Sequence, residues 1–192
     1  MTHTVIYVPG LGDAKINGRR LLVASWRLYS VRPVVHQMSW ADKQPFEHKL
    51  QALLKHIDER RAAGERVSLV GESAGASAAM NAYAARPGSI HRVVCICGKL
   101  RNPETIHPAT YRQNPAFAES MDLLPQSLAS LSTSQLSRVR SIHPLADPTV
   151  PVPDTIIAGA EERTIPTVGH ATSIVLGNVL FSWRMVPFLK RP

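Results

Sequence analysis

The sequence predicts an α/β architecture, a mostly parallel sheet of about six strands with helices on both faces. Three observations carry that expectation. Short apolar, β-rich runs alternate with longer segments at helical spacing, the order a parallel sheet with crossover helices requires. One run, His91-Arg-Val-Val-Cys-Ile-Cys97, is almost wholly apolar, as a strand buried on both faces should be. Finally, Val67–Val70 enters Gly71-Glu-Ser73-Ala-Gly75 and leaves it through small residues, Ala74 to Ala85, so strand, sharp turn and helix follow without a linker.

Thr4–Val8 is the first strand and ends in Pro9-Gly10-Leu11-Gly12-Asp13. Asp13 or Asn17 is expected to cap the next helix, whose Leu21, Leu22, Ser25, Trp26 and Tyr29 are spaced for one buried face. Pro33–Met38 is a second strand, with His36 read as a core or face residue. Asp42–Ala63 is a helix: Phe46, Leu50, Leu53, Leu54 and Ile57 recur at its period, Pro45 fits its first turn and Gly64 stops it. The serine turn and its small-residue helix follow, then the strand His91–Cys97. Alternation would put Cys95 and Cys97 on one sheet face. Both read as core thiols, since their spacing fits neither a zinc pair nor a redox pair.

Residues 102–138 differ in character, with prolines, an amphipathic stretch (Met121, Leu123, Leu124, Leu128, Leu131) and a capping box at Ser132–Gln135. This insertion between two strands is expected to lie over one end of the sheet as a small partial cap. Val139–His143 is the next strand, Thr155–Ala158 is read as extended, and Arg163–Thr167 is a short last strand. Ala171 to about Phe188 is read as one closing helix with Ile174, Val175, Leu176, Val179, Leu180 and Trp183 available for burial. There is no repeat or domain-sized linker, so residues 1–192 are read as a single domain.

Composition narrows the classes. The length suits one domain with a sizeable core, and ordinary apolar content excludes disordered and fibrous chains. The formal net charge is +8. The arginines are scattered, with no dense block and no aromatic-interleaved stripe, which argues for a basic solvated surface and against a specific nucleic-acid partner. No apolar run is long enough to cross a bilayer. With no basic-plus-apolar leader before the first strand, the expectation is a cytoplasmic protein without a transmembrane segment.

Four features each follow the carboxyl end of an expected strand: Gly10-Leu11, Ser73, Asp147 and His170. In a parallel sheet, sites form where those ends meet loops. A serine hydroxyl becomes a nucleophile when a base takes its proton, an imidazole suits that role near neutral pH, and a carboxylate orients the imidazole. Ser73 is therefore the candidate nucleophile, His170 the base and Asp147 the acid. Glu162 competes for the acid's place, because Gly159-Ala-Glu-Glu162-Arg-Thr-Ile-Pro166 has a comparable layout. Asp147 is preferred, since Glu162 leaves only seven residues to His170 for a strand and its turn. His143 is read as a partly buried strand residue, and Glu72 as capping or packing locally.

With these residues the chain resembles the α/β-hydrolases, in particular the small, lidless, single-domain bacterial lipases and esterases. Gly-x-Ser-x-Gly between strand and helix carries the resemblance, together with the Ser, acid, His order and the Asp147…Gly159-Ala160…Gly169-His170 layout. It implies an oxyanion hole from the backbone N–H groups of Leu11 and Ala74, and a serine carboxylic-ester hydrolase that takes small or lipid-like acyl esters through an acyl-enzyme. No metal or organic cofactor is implied. Thioesterase, lactonase, amidase and acyl-transfer activities share the same intermediate, and a hydrolase-like scaffold used only for binding is the non-enzymatic alternative. Pro9-Gly10 stands where many lipases have His-Gly, and residues 102–138 exceed what the smallest members need.

Overall fold

The computed structural model describes residues 1–192. Six strands form one sheet in the order β2-β1-β3-β4-β5-β6, every neighbouring pair parallel. They are β1 (His3–Val8), β2 (Arg32–Val35), β3 (Arg66–Glu72), β4 (Ile90–Ile96), β5 (Val139–Ala146) and β6 (Glu161–Val168). The helices are α1 (Asn17–Ala24), α2 (Phe46–Ala62), α3 (Ala74–Ala85), α4 (Pro108–Gln113), α5 (Pro115–Ala129), α6 (Thr133–Leu136), α7 (His170–Val179) and α8 (Val186–Lys190). A parallel sheet needs both faces covered. One face, with Ile6, Val8, Leu69 and Cys95, packs under α2, α3 and α5; the other, with Val5, Tyr7, Val70 and Val94, packs under α1, α7 and α8.

Residues 102–138 were expected over one end of the sheet. They supply α5, whose Phe117, Met121 and Leu124 enter the core beside α2 and α3. Trp40 anchors this layer: its ring lies parallel to Phe46, meets Phe117 edge-on and donates Nε1–H to the Pro9 carbonyl (3.0 Å).

Several local expectations need correction. Asp13 does not cap α1. Its carboxylate accepts the backbone N–H groups of Met38 and Ser39 at 2.7 Å and of Trp40 at 3.3 Å, fastening the β1 loop to the chain after β2. α1 gives way to a 3₁₀ turn over Ser25–Tyr29. Val23 and Trp26, three residues apart, face the core, while Leu21, inside α1, points the other way and is 79% exposed. α2 starts at Phe46 rather than Asp42, with Pro45 just outside it. Thr155–Ala158 forms no strand; a 3₁₀ turn spans Val152–Thr155. The closing segment is two helices bent by 77°, not one. Val175, Val179, Leu180 and Trp183 are about half exposed, and Met185, Val186, Phe188 and Leu189 fill the core instead. No single helix is long and apolar enough to cross a membrane. Cys97 lies one residue beyond β4 with φ +47°, which breaks the alternation: Cys95 faces the α3 side and Cys97 the α7 side.

A buried ion pair fixes the loop after β4. Lys99 and Asp154, both almost inaccessible, bond to each other, and the Asp154 carboxylate also accepts from Asn102 and Thr105. Burial alone would raise the Asp154 pKa, but these donors and the Lys99 charge outweigh it and hold the carboxyl below its ordinary value. A depressed folded-state pKa means this stabilisation is present above the unfolded value and lost as pH falls through the folded one. Asp154→Asn strands the Lys99 charge and should cost about 3 kcal/mol at neutral pH, read from urea unfolding, with the difference from the native chain shrinking in acid. A second prediction concerns α3, whose Gly75 lies against the end of β1. A Cβ there would come within 2.1 Å of the Val8 carbonyl oxygen and 2.6 Å of that of Pro9, so Gly75→Ala should lower stability by about 1–3 kcal/mol in the same assay.

Candidate active site

The turn from β3 into α3 has one solution for this sequence. Ser73 takes φ +51°, ψ −119°, a conformation that a side chain adopts only under constraint. The surrounding backbone supplies that constraint: Ser73 N–H donates to the Ile96 carbonyl, and the Ser73 carbonyl accepts from Ala76 and Lys99. The turn is so tight that a Cβ on Gly71 would meet the Ala76 Cα at 2.5 Å. The two motif glycines are thus positions where backbone passes backbone. The turn lifts the serine hydroxyl above the carboxyl end of the sheet, at the N-terminus of a helix.

Two further strands bring their loops to the same place. Asp147 follows β5 and His170 opens α7 after β6. Ser73 Oγ lies 2.9 Å from His170 Nε2, and His170 Nδ1 lies 2.7 Å from Asp147 Oδ2. Asp147 Oδ1 accepts the N–H groups of Thr149 and Val150 at 2.8 and 2.9 Å, and the carboxylate is fully shielded from solvent while His170 keeps a partly open edge. A proton on Nδ1 bonded to the acid leaves Nε2 free to accept from the serine hydroxyl. The three side chains singled out after strand ends are therefore joined in one hydrogen-bonded chain.

Glu162 and His143, the other acid and histidine weighed from sequence, pair with each other. His143 Nε2 meets Glu162 Oε1 at 2.7 Å, and Nδ1 bonds the Pro144 carbonyl. The Glu162 side chain is 46% exposed and reaches the buried His143 from the surface, so the pair lies apart from the serine. The amides of Leu11 and Ala74 are taken up by no turn or loop acceptor, and Leu11 lines the same cavity as Ser73 and His170.

That cavity measures about 520 Å³ and is open to solvent. Leu22 from α1 and Ile174 and Val175 from α7 give it an apolar wall, and no residue of 102–138 lines it. Arg19 and Glu72 also reach it, and neither was chosen from sequence as a site residue. Glu72 is buried beside the serine, accepting the Tyr7 hydroxyl on one oxygen and Arg19 Nη2 (3.1 Å) on the other. Asn178, two turns along α7 from His170, donates to the Tyr7 hydroxyl at 3.1 Å. Burial, then the Glu72 charge, pushes the Tyr7 pKa well up, so the phenol stays a donor to the carboxylate. Burial alone would lower the Arg19 pKa, but Glu72 outweighs it and keeps the guanidinium charged. The sequence held the signal as an acid inside the elbow and an arginine two residues into α1, but nothing local indicated that they meet.

Cys97, Asp147 and His170 have potential metal-ligand atoms within 4.8 Å of one another. Burial first, then the charges of Asp147 and Glu72, drives the Cys97 thiol far above its ordinary pKa and keeps it protonated. A protonated thiol and a carboxylate already occupied on both oxygens make a poor ligand set.

No protein-family model and no curated protein sequence matches the chain. Solved structures do. The chain is similar to an α/β-hydrolase enzyme from the sediment metagenome of the Mar Chica lagoon, Morocco, with TM-score 0.68 and 14% identity over 99% of this chain and 91% of that one. It is also similar to a monoacylglycerol lipase of Paleococcus ferrophilus, with TM-score 0.66 and 15% identity over 98% and 95%. A carboxylesterase structure from the thaumarchaeon Nitrososphaera gargenis superposes with TM-score 0.70 at 10% identity, over 97% and 89%. Identities this low speak to architecture alone. The similarity runs nearly end to end, around a parallel sheet whose third strand leads into a serine elbow. The chain has the α/β-hydrolase fold.

Proposed function

We propose that the chain is a serine hydrolase of carboxylic esters, with Ser73 as nucleophile, His170 as general base and acid, and Asp147 as the carboxylate that orients the imidazole. The single observation that carries this reading is the hydrogen-bonded run from Ser73 Oγ through both ring nitrogens of His170 to Asp147, at 2.9 and 2.7 Å. Ser73 Oγ attacks the acyl carbon as its proton passes to Nε2. Charge builds on the carbonyl oxygen, and the N–H groups of Leu11 and Ala74 are assigned to receive it. His170 returns the proton to the leaving alcohol, and the same imidazole then activates water to release the acid and free the serine. The serine proton leaves on the alcohol, and the water that cleaves the acyl-enzyme supplies the proton that His170 returns to Ser73 Oγ.

The solvent-open cavity with an apolar wall of Leu22, Ile174 and Val175 suits the hydrocarbon part of an acyl ester. The lipase and carboxylesterase named among the similar structures point toward the same substrate class. Residues 1–192 are taken to act as one domain, with 102–138 as part of the α2/α3 layer leaving the cavity unroofed.

Ser73→Ala should lower kcat on an activated short-chain ester by about 10⁴-fold or more, as removal of a triad nucleophile does elsewhere. Fluorophosphonate labelling should disappear with it, and retained turnover would remove Ser73 from its role. Asp147→Asn and Glu162→Gln, assayed side by side, separate the two acids. The expected outcome is a loss of about 10³-fold or more for the aspartate change against less than about twofold for the glutamate change. The reverse order would transfer the role to Glu162.

A further inference from the structure

At the opposite end of the sheet from Ser73, a second cleft of about 310 Å³ opens beside the first residues of β5 and β6. It is lined by Arg140, Arg163, Arg184 and Arg191 with Trp183 and Phe188. The charge there is unbalanced. Glu161 is the one carboxylate bonded to these arginines, and it is already shared by three of them: Arg140 at 2.9 Å, Arg191 at 3.0 Å and Arg163 at 2.7 Å. Arg184 has no acidic partner; its Nη1 donates to the Thr164 carbonyl at 2.7 Å. A further guanidinium, Arg92, joins the group from β4. It stacks over the Phe188 ring at 4.9 Å, while Arg140 and Arg191 stack over the same ring at 4.1 and 5.3 Å.

Three cations on one aromatic ring repel one another, and partial burial weakens the screening that water would give. Arg140 is only 4% exposed, and its Nε and that of Arg184 are buried without a hydrogen-bond partner. Burial, and then the charges of Arg191 and Arg163, hold Arg140 below its ordinary pKa in spite of Glu161. Burial and the charges of Arg191 and Arg138 act on Arg92 in the same direction. A polyvalent anion would relieve this repulsion, and guanidinium forks match phosphate oxygens in pairs. A surplus of several charges favours a dianion over a single carboxylate. Trp183, 54% exposed at the rim, offers an apolar face to an organic group attached to the phosphate.

We propose that this arginine cleft is a binding site for a small soluble phosphate ester. The site is independent of the ester-hydrolase reading, since none of its residues lies among those assigned to catalysis. The test is titration calorimetry of the full chain with phenyl phosphate, inorganic phosphate and acetate at constant ionic strength, alongside flotation with phosphatidic-acid vesicles. The expected result is saturable one-to-one binding of phenyl phosphate, at least about tenfold weaker in the Arg163→Gln/Arg191→Gln variant. Both of those side chains are half exposed, so the fold should survive. An unchanged circular-dichroism spectrum checks this, and Arg163→Gln alone serves if the double variant does not fold. Arg20→Gln/Arg27→Gln, which alters a separate basic surface, should bind as the native chain does. Absence of saturable binding would overturn the proposal. So would an equal loss in the Arg20/Arg27 variant, equal affinity for acetate, or binding to the vesicles alone.

Discussion

The backbone of Ser73 is the constraint on which the site depends. Its conformation costs about 1–3 kcal/mol and persists only because neighbours over-determine it. On one side α3 is pressed onto the end of β1, at the distance Gly75 alone permits. On the other, the Ser73 peptide groups bond to Ile96 at the end of β4 and to Lys99 just beyond it. Lys99 is itself pinned by Asp154. A sheet that places β3 between β1 and β4 can therefore hold a strained serine from both sides, and the core supplies the energy that a free turn would lack.

The polar groups near the serine are paired so that one of them, His170, is left to bond its hydroxyl. Glu72 could compete as a carboxylate beside the hydroxyl, but Tyr7 and Arg19 occupy both of its oxygens. Cys97 could compete as a nucleophile or ligand, yet burial and the nearby carboxylates keep its thiol protonated. The imidazole of His170 is left as the group that touches Ser73 Oγ. The Asn178–Tyr7–Glu72–Arg19 run also ties α7, β1, the elbow and α1 together beneath the cavity. The helix that carries His170 and the loop that carries Leu11 thus share a buried support.

What could be read from the sequence was what depends on local period and on strand ends. Apolar runs marked the inner strands, while β6 is mostly exposed, and helical spacing marked Phe46, Leu50, Leu53, Leu54 and Ile57 of α2, all buried. Ser73, Asp147 and His170 stood out because each follows a strand, and a parallel sheet gathers such positions at one end. What escaped depends on partners far along the chain or on small changes of winding. Asp13 looked like a helix cap because its acceptance of Met38, Ser39 and Trp40 is a tertiary contact. Leu21 looked buried because an apolar side chain at helical spacing marks a face without saying which face meets the sheet, and α1 turns Val23 to the core instead. Cys97 was placed on the wrong face because one positive φ ends the strand a residue early. Residues 102–138 looked like a cap because their amphipathic face was visible but the surface it would meet was not.

The two acids show why spacing alone does not choose between chemically equivalent groups. Asp147 and Glu162 each bond a histidine at 2.7 Å, and the two pairs involve adjacent strands, β5 and β6. They differ in where along the strand each falls. His143 on β5 and Glu162 on β6 meet diagonally within the sheet, since Glu162 is in register with Ser141 and His143 with Thr164, and the histidine's second nitrogen is committed to a backbone carbonyl. Asp147 and His170 lie past the strand ends, where α7 can turn the imidazole toward β3. Solvent separates them further, since the Glu162 side chain is 46% exposed and the Asp147 side chain is fully buried with two amides on its other oxygen. A buried carboxylate held by fixed donors keeps one orientation and acts on its histidine in a medium of low dielectric. An exposed one shares its attraction with water and is free to rotate. Position beyond the strand end, more than residue type, separates a histidine poised over a serine from one bonded to an exposed glutamate.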